Sequence, residues 1–239
     1  MTEHIVSAFE EELVSLGEKI AQMGGLAEKQ LAEAVDALNR RDSSLADIVI
    51  AADERIDHFE RDIEEQAILM IARRQPMALD LREIMAAIRI SSDLERIGDL
   101  SKNIAKRVLA IGTDTHPQRL IRGVEHMSKL AMAQLKDVLD AYSQRDTDKA
   151  KSVWRRDEEI DAMYTSLFRE LLTYMMEDPR NITPCTHLLF AAKNVERIGD
   201  HTTNIAETVH YLVHGRPLVE ERPKGDESSY TSVPFKAVE

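Results

Sequence analysis

The 239-residue sequence predicts an all-α protein, a tandem repeat of two antiparallel three-helix bundles built from six long helices. Three observations predict it. Hydrophobic residues make up 43% of the chain and aromatics only 5%, while Leu, Ile, Ala, Glu, Lys and Arg outnumber a few Gly and Pro, the profile of long packed helices. Apolar residues recur at threes and fours along most of its length. Finally, the window DLERIGDLSKNIA (93–105) returns as NVERIGDHTTNIA (194–206), a shift of 196 − 95 = 101 residues that keeps Glu, Arg, Ile, Gly, Asp, Asn, Ile and Ala in matching places.

In the first half, Ile5, Phe9, Leu13, Leu16, Ile20, Met23, Leu31, Val35 and Leu38 mark an amphipathic helix over about 4–39, with a bend suggested at Gly24-Gly25. Asp42-Ser43-Ser44 breaks it and caps a second helix, striped by Val49, Ala52, Ile56, Phe59, Ile63 and Met70 and stopped at Gln75-Pro76. The third helix, about 78–111, carries Ile90, Ile97, Ile104 and Ile111 at intervals of seven, with Leu94, Ser101 and Val108 between them. That pattern asks for coiled-coil-like packing.

After Gly112-Thr-Asp-Thr-His-Pro117 the scheme restarts, with Pro117 at a first helical position. Helix four, about 117–143, uses Leu120, Val124, Met127, Leu130, Leu135, Val138 and Leu139. Arg145-Asp146 answers Arg41-Asp42, and helix five, about 148–177, packs through Val153, Ile160, Met163, Leu167, Leu171 and Tyr174 before Asp178-Pro179. Thr183-Pro184 is the expected cap of helix six, where Ala191, Ile198, Ile205 and Leu212 repeat the heptad with Val195, Thr202 and Val209 between. The expected units are residues 1–112, residues 113–214 and a mobile tail, 215–239, that is rich in Pro and charge. Helices of roughly 30 residues are each about 45 Å long, and short turns make neighbours antiparallel.

A formal net charge of −12 argues against nucleic-acid binding, which needs clustered Lys and Arg, and favours metal ions or basic protein surfaces. The single cysteine, Cys185, excludes an internal disulfide and a Cys-rich zinc site and suits a reducing compartment, so a cytoplasmic protein is expected. The start MTEHIVSAFEEEL lacks the cationic and apolar regions of a signal peptide, and nowhere do about 18 apolar residues run together. A soluble protein is expected, with membranes reached only through partners.

Four acidic pairs at i, i+4 occupy equivalent places: Asp53/Asp57 with Glu95/Asp99, and Asp157/Asp161 with Glu196/Asp200. Carboxylates four apart share one side of a helix, with Cβ atoms roughly 5–6 Å from each other, and Asn103 and Asn204 extend each line by another turn. If the second and third helices of each bundle turn these pairs toward each other, the all-oxygen set suits iron, manganese, magnesium or calcium, with room for more than one carboxylate-bridged ion. Without a cation, each pair repels by roughly 0.2–0.5 kcal/mol. A lone acidic pair at this spacing is ordinarily a solvated face; the duplication and the embedded Gly98, a weak helix former leaving open space beside the acids, argue for a site. Arg96 and Arg197 offer the simpler role of salt-bridge partners, and His58 and His201 point about 100° away from the acids they follow.

Catalytic patterns are poor. The chain has no Gly-rich phosphate loop and no Gly-x-Ser-x-Gly elbow. A di-iron oxidase bundle needs two Glu-x-x-His motifs, and only Glu207-Thr-Val-His210 fits one. Met175, Met176 and Trp154 are expected to pack rather than bind.

The duplicated E-R-I-G-D…N-I-A signature, the D-x-x-x-D pairs and the six-helix layout together resemble the PhoU family of bacterial phosphate-transport accessory and regulatory proteins, over residues 4–213. The resemblance implies tandem three-helix bundles holding metal in multinuclear surface clusters, with iron favoured and manganese, magnesium or zinc as alternatives. It implies Asp53, Asp57, Glu95 and Asp99 as ligands in the first bundle and Asp157, Asp161, Glu196 and Asp200 in the second. It also implies a non-catalytic adaptor that couples the nucleotide-binding subunit of a phosphate ABC transporter to a sensor histidine kinase and restrains the phosphate-starvation response. A homodimer is the expected assembly. The competing readings are a carboxylate-bridged metal-dependent enzyme and a metal-free helical scaffold.

Overall fold

Helix ends are set by local chemistry at equivalent places in the two halves. In the computed structural model, which describes residues 2–111 and 118–219 (side chains from 8 and from 121), the helices are α1 Thr2–Arg40, α2 Ser43–Arg74, α3 Leu79–Ile111, α4 Gln118–Gln144, α5 Thr147–Glu177 and α6 Ile182–His214. Asp42 accepts from the Leu45 N–H at 3.0 Å, and Asp146 accepts from the N–H groups of Asp148 and Lys149 at 3.0 and 2.9 Å, so each satisfies orphan donors of a first turn. The residue before each cap, Arg41 (φ 55°) or Arg145 (φ 54°), is left-handed and reverses the chain sharply.

Two local expectations change. α1 runs unbroken through Gly24 and Gly25, and Gly24 serves close packing instead: a Cβ there would stand 2.6 Å from Leu139 Cδ1 of α4. Thr183 and Pro184 lie inside α6, not at its cap. The chain enters α6 through a 3₁₀ turn, Pro179–Asn181, whose first N–H groups are satisfied by Asp178, which accepts from the Arg180 N–H at 2.9 Å. The linker 112–117 with its Pro117, the side chains of Ile5 and Leu120, and the tail from 220 lie outside the described residues.

The heptad positions form the core: Ile90, Leu94, Ile97, Ser101, Ile104, Val108 and Ile111 of α3 are buried, as are Ala191, Val195, Ile198, Thr202, Ile205, Val209 and Leu212 of α6. Consecutive helices within each bundle pack antiparallel, as Arg74 at the end of α2 reaching Glu12 near the start of α1 shows for the first pair. The two bundles pack against each other through α1 with α4 and α3 with α6, while among the described residues α2 and α5 touch only helices of their own bundle. Arg89 lies 5.3 Å from the centre of the Tyr211 ring and Arg107 4.6 Å from that of Phe190, so α3 and α6 are antiparallel to each other. α3 and α6 each have one side on the other bundle and another on α2 or α5.

Candidate functional site

Gly98 and Gly199 draw the second and third helices of each bundle together. A Cβ at Gly98 would meet Ile56 Cδ1 at 3.0 Å and Gln30 Oε1 at 3.2 Å, and one at Gly199 would meet Asp157 Oδ1 at 2.9 Å and Ile160 Cδ1 at 3.1 Å. The space beside the acids is therefore filled rather than open, because the neighbouring helix moves into it. That approach brings the duplicated carboxylates into two acidic seams, α2/α3 and α5/α6.

In the α2/α3 seam Asp53 is only 4% exposed. Its Oδ1 accepts from Gln30 Nε2 at 3.1 Å, and its Oδ2 takes the Lys102 ammonium, which also donates to Asp99. Burial works against the Lys102 charge, but the hydrogen bonds to Asp53 and Asp99 outweigh it and hold the ammonium above its ordinary pKa. Burial, then repulsion from Asp53, raises the Asp57 carboxyl; burial, then Asp99, raises Glu95. Glu60, one turn along α2, is raised by burial and by Glu64 and also faces Asp57. These mutual effects place Asp53, Asp57, Glu95 and Asp99 in one electrostatic neighbourhood, half-covered where α2 crosses α3.

The α5/α6 seam is drier. Asp157, Asp161 and Glu196 are 1%, 4% and 5% exposed, and Asp200 is half-buried beside them. Burial pushes Glu196 up to about 7; the Lys193 ammonium, donating to its Oε1 at 2.8 Å, tempers the rise, and Asp200 and Asp161 add to it. The other oxygen, Oε2, is buried with no hydrogen-bond partner among the described residues. Lys193 also lies 4.8 Å from the centre of the Tyr164 ring.

The seams are not copies in their cations. Lys102 corresponds to Thr203 (102 + 101 = 203), and Lys193 to Ser92 (193 − 101 = 92). Nothing in the acidic pattern announces either lysine; the only signal is that the repeat breaks at both places, at 102/203 inside the two 13-residue windows and at 92/193 just before them. Gln30, 23 residues before Asp53 and on another helix, has no local signal at all.

The other candidates fall elsewhere. Asn204 donates to Asp93 Oδ1 of α3 at 3.2 Å, and His201 Nδ1 lies 2.9 Å from the same oxygen, so both serve the contact between bundles. Asn103 is half-buried on α3, Arg197 is exposed, and exposed Arg96 approaches Glu95 at 3.5 Å. His58 turns to Asp62 at 3.5 Å, away from the acids. Trp154 packs and donates to Glu207 Oε1 at 3.0 Å, Met175 is partly buried, and Met176 is 49% exposed rather than core.

The donors are all carboxylate oxygens, the chemistry of a hard-cation site. As placed, no three His, Cys, Asp or Glu side chains among the described residues gather into one coordinating group, and lysine ammonium groups balance the charge instead. The raised carboxyls and the lone Glu196 oxygen are what a cation would relieve, so the residues fit one in kind. No helix among the described residues is long and apolar enough to cross a membrane.

Comparison with known proteins places this arrangement. The PhoU domain model matches residues 20–108 and again 124–209, one match on each bundle. The chain is 62% identical over 226 residues to the phosphate-specific transport system accessory protein PhoU homolog of Rhizobium meliloti (strain 1021), covering 95% of each chain. It is 53% identical over 226 residues to the homolog so named in Caulobacter vibrioides (strain NA1000 / CB15N), covering 95% of this chain and 98% of that one. The crystal structure of PhoU from Pseudomonas aeruginosa superposes with a TM-score of 0.82 at 41% identity, covering 87% of this chain and 100% of that one. That of the phosphate transport system regulatory protein PhoU from Streptococcus pneumoniae gives 0.82 at 30% identity, covering 88% and 99%. With both bundles matched and the identity spread over nearly its whole length, the chain belongs to the PhoU family.

Proposed function

We propose that the chain is a non-catalytic accessory and regulatory protein of a phosphate-specific transport system. It works at the cytoplasmic side, coupling the transporter's nucleotide-binding subunit to a phosphate-sensing histidine kinase and holding the starvation response off when phosphate is plentiful. Its assembly is a homodimer. The observation that carries this is the pairing of a doubly matched PhoU domain with near-full-length identity to accessory proteins of that system.

The acidic seams are its metal sites. Asp53, Asp57, Glu95 and Asp99 hold cations in the first bundle, and Asp157, Asp161, Glu196 and Asp200 hold them in the second, iron being favoured, with manganese, magnesium or zinc as alternatives. The bound ion replaces repulsion with attraction across the seam and stiffens the helix pair. The second bundle is the tighter site: Glu196 is buried, its pKa is raised and Lys193 engages only one of its oxygens, whereas in the first bundle Lys102 bridges Asp53 and Asp99. That ion pair favours the metal-free scaffold as the second reading for the first bundle.

The regulatory role is tested by deleting the gene in its own host and measuring transporter and phosphatase transcripts in high phosphate. They are expected to stay switched on; normal repression would reject the role.

A further inference from the structure

The last turn of α6 carries cation ligands of a different kind. His210 and His214, four residues apart, share one helix face, with ring centroids 4.5 Å apart and planes inclined by 48°. Backbone geometry sets the first ring. Gly215 is left-handed (φ 68°) and its N–H closes α6 on the Tyr211 carbonyl at 2.8 Å, which reverses the chain and brings the Arg216 carbonyl to 3.2 Å from His210 Nδ1. A carbonyl only accepts, so Nδ1 carries the proton and Nε2 keeps its lone pair. Metal-ligating histidines are oriented in the same way, with the second nitrogen bonded to a carbonyl.

The charge around the pair is mixed. Burial first, then His214, keeps the His210 pKa below its ordinary value; the hydrogen bond to the Arg216 carbonyl opposes this, and the Arg216 and Lys151 charges add to it. Against those cations stands the negative end of the α6 dipole. Glu207, one turn earlier, accepts the Trp154 indole N–H through Oε1 at 3.0 Å. Two imidazoles bound to one ion through metal–nitrogen bonds of about 2.0–2.1 Å, roughly 90–110° apart, have ring centres about 4.5–5 Å apart. The observed pair already matches that separation.

We propose that His210 and His214 form a bis-imidazole site for a borderline transition-metal cation of the Zn²⁺ class, completed by water. It is independent of the acidic seams and of the regulatory role. Nitrogen donors select such ions over Mg²⁺ and Ca²⁺, which take oxygen; the carboxylate seams can also take Zn²⁺, so the ring-nitrogen signals rather than the stoichiometry identify this site.

The test is calorimetric titration of the untagged, chelator-treated full-length chain with Zn²⁺ in excess Mg²⁺, followed by long-range ¹H–¹⁵N spectra of the histidine rings. His210→Gln and His214→Gln lie at a solvated helix end, and far-UV circular dichroism checks their folding. One Zn²⁺ equivalent that shifts the Nε2 signals of both rings is expected, weakened at least about tenfold in either variant and kept in Asp161→Ala/Asp200→Ala. Unchanged Zn²⁺ affinity in both histidine variants, loss of the equivalent in the aspartate variant alone, or no Zn²⁺ binding by the parent chain would overturn the proposal.

Discussion

Glu196 is the residue on which burial and charge conflict most. Its folded-state carboxyl, pushed to about 7 from 4.5 mainly by burial, holds its proton longer than the unfolded chain does. Stability from this group is therefore full below pH 4.5 and lost as pH rises to about 7. The loss is at most about 3 kcal/mol, so in chelator Glu196→Gln should melt above the parent at pH 8 and level with it at pH 4. Thermal melts at the two pH values check this. Lys102 plays the opposite part. Lys102→Met strands the buried Asp53 charge and should cost about 3 kcal/mol in urea denaturation, most of it recovered in Lys102→Met/Asp53→Asn. At this scale the sequence shows the donors and hides their counter-ions. The i, i+4 spacing places the carboxylates from four residues of local information. Lys102 reaches Asp53 across 49 residues, a contact that depends on how closely α2 and α3 approach.

At the scale of the helix, glycines separate seams from free surfaces. Gly17 and Gly25 have nothing within 4 Å of a new Cβ, whereas Gly199 has Asp157 and Ile160 against it. Gly17→Ala should raise stability by about 0.5–1 kcal/mol through helix propensity alone. Gly199→Ala, with the same gain in propensity, should lower it by about 1–2 kcal/mol net, because α5 must move outward. Chemical denaturation of the two variants checks the sign. Elements of this kind were largely readable: seven-residue spacing identifies the buried faces of α3 and α6, and Asp42 and Asp146 announce the caps of α2 and α5. The cap of α6 was less so, because Thr183-Pro184 resembles a start while the 3₁₀ turn capped by Asp178 actually supplies one.

For the whole molecule, what matters is that α3 and α6 serve two contacts at once, the acidic seam on one side and the partner bundle on another. Asp93 receives both His201 and Asn204 from the other bundle, and Leu100, the counterpart of His201, has no such chemistry, so the repeat did not predict the contact. Asp93→Ala should destabilise the chain by about 1–2 kcal/mol while leaving metal uptake at the α5/α6 seam unchanged, as denaturation and elemental analysis of one sample would record. The family likeness was legible because the motif, its duplication and its order are all local in sequence, whereas the packing of one bundle on the other joins residues about a hundred positions apart.

The central claim is that carboxylates from two helices hold cations once in each bundle. Elemental analysis of the purified full-length chain beside Asp57→Ala/Asp99→Ala and Asp161→Ala/Asp200→Ala tests it most directly. Each double variant should lose the metal of its own seam, the second losing more than the first; metal content equal to the parent's in both variants would contradict the claim.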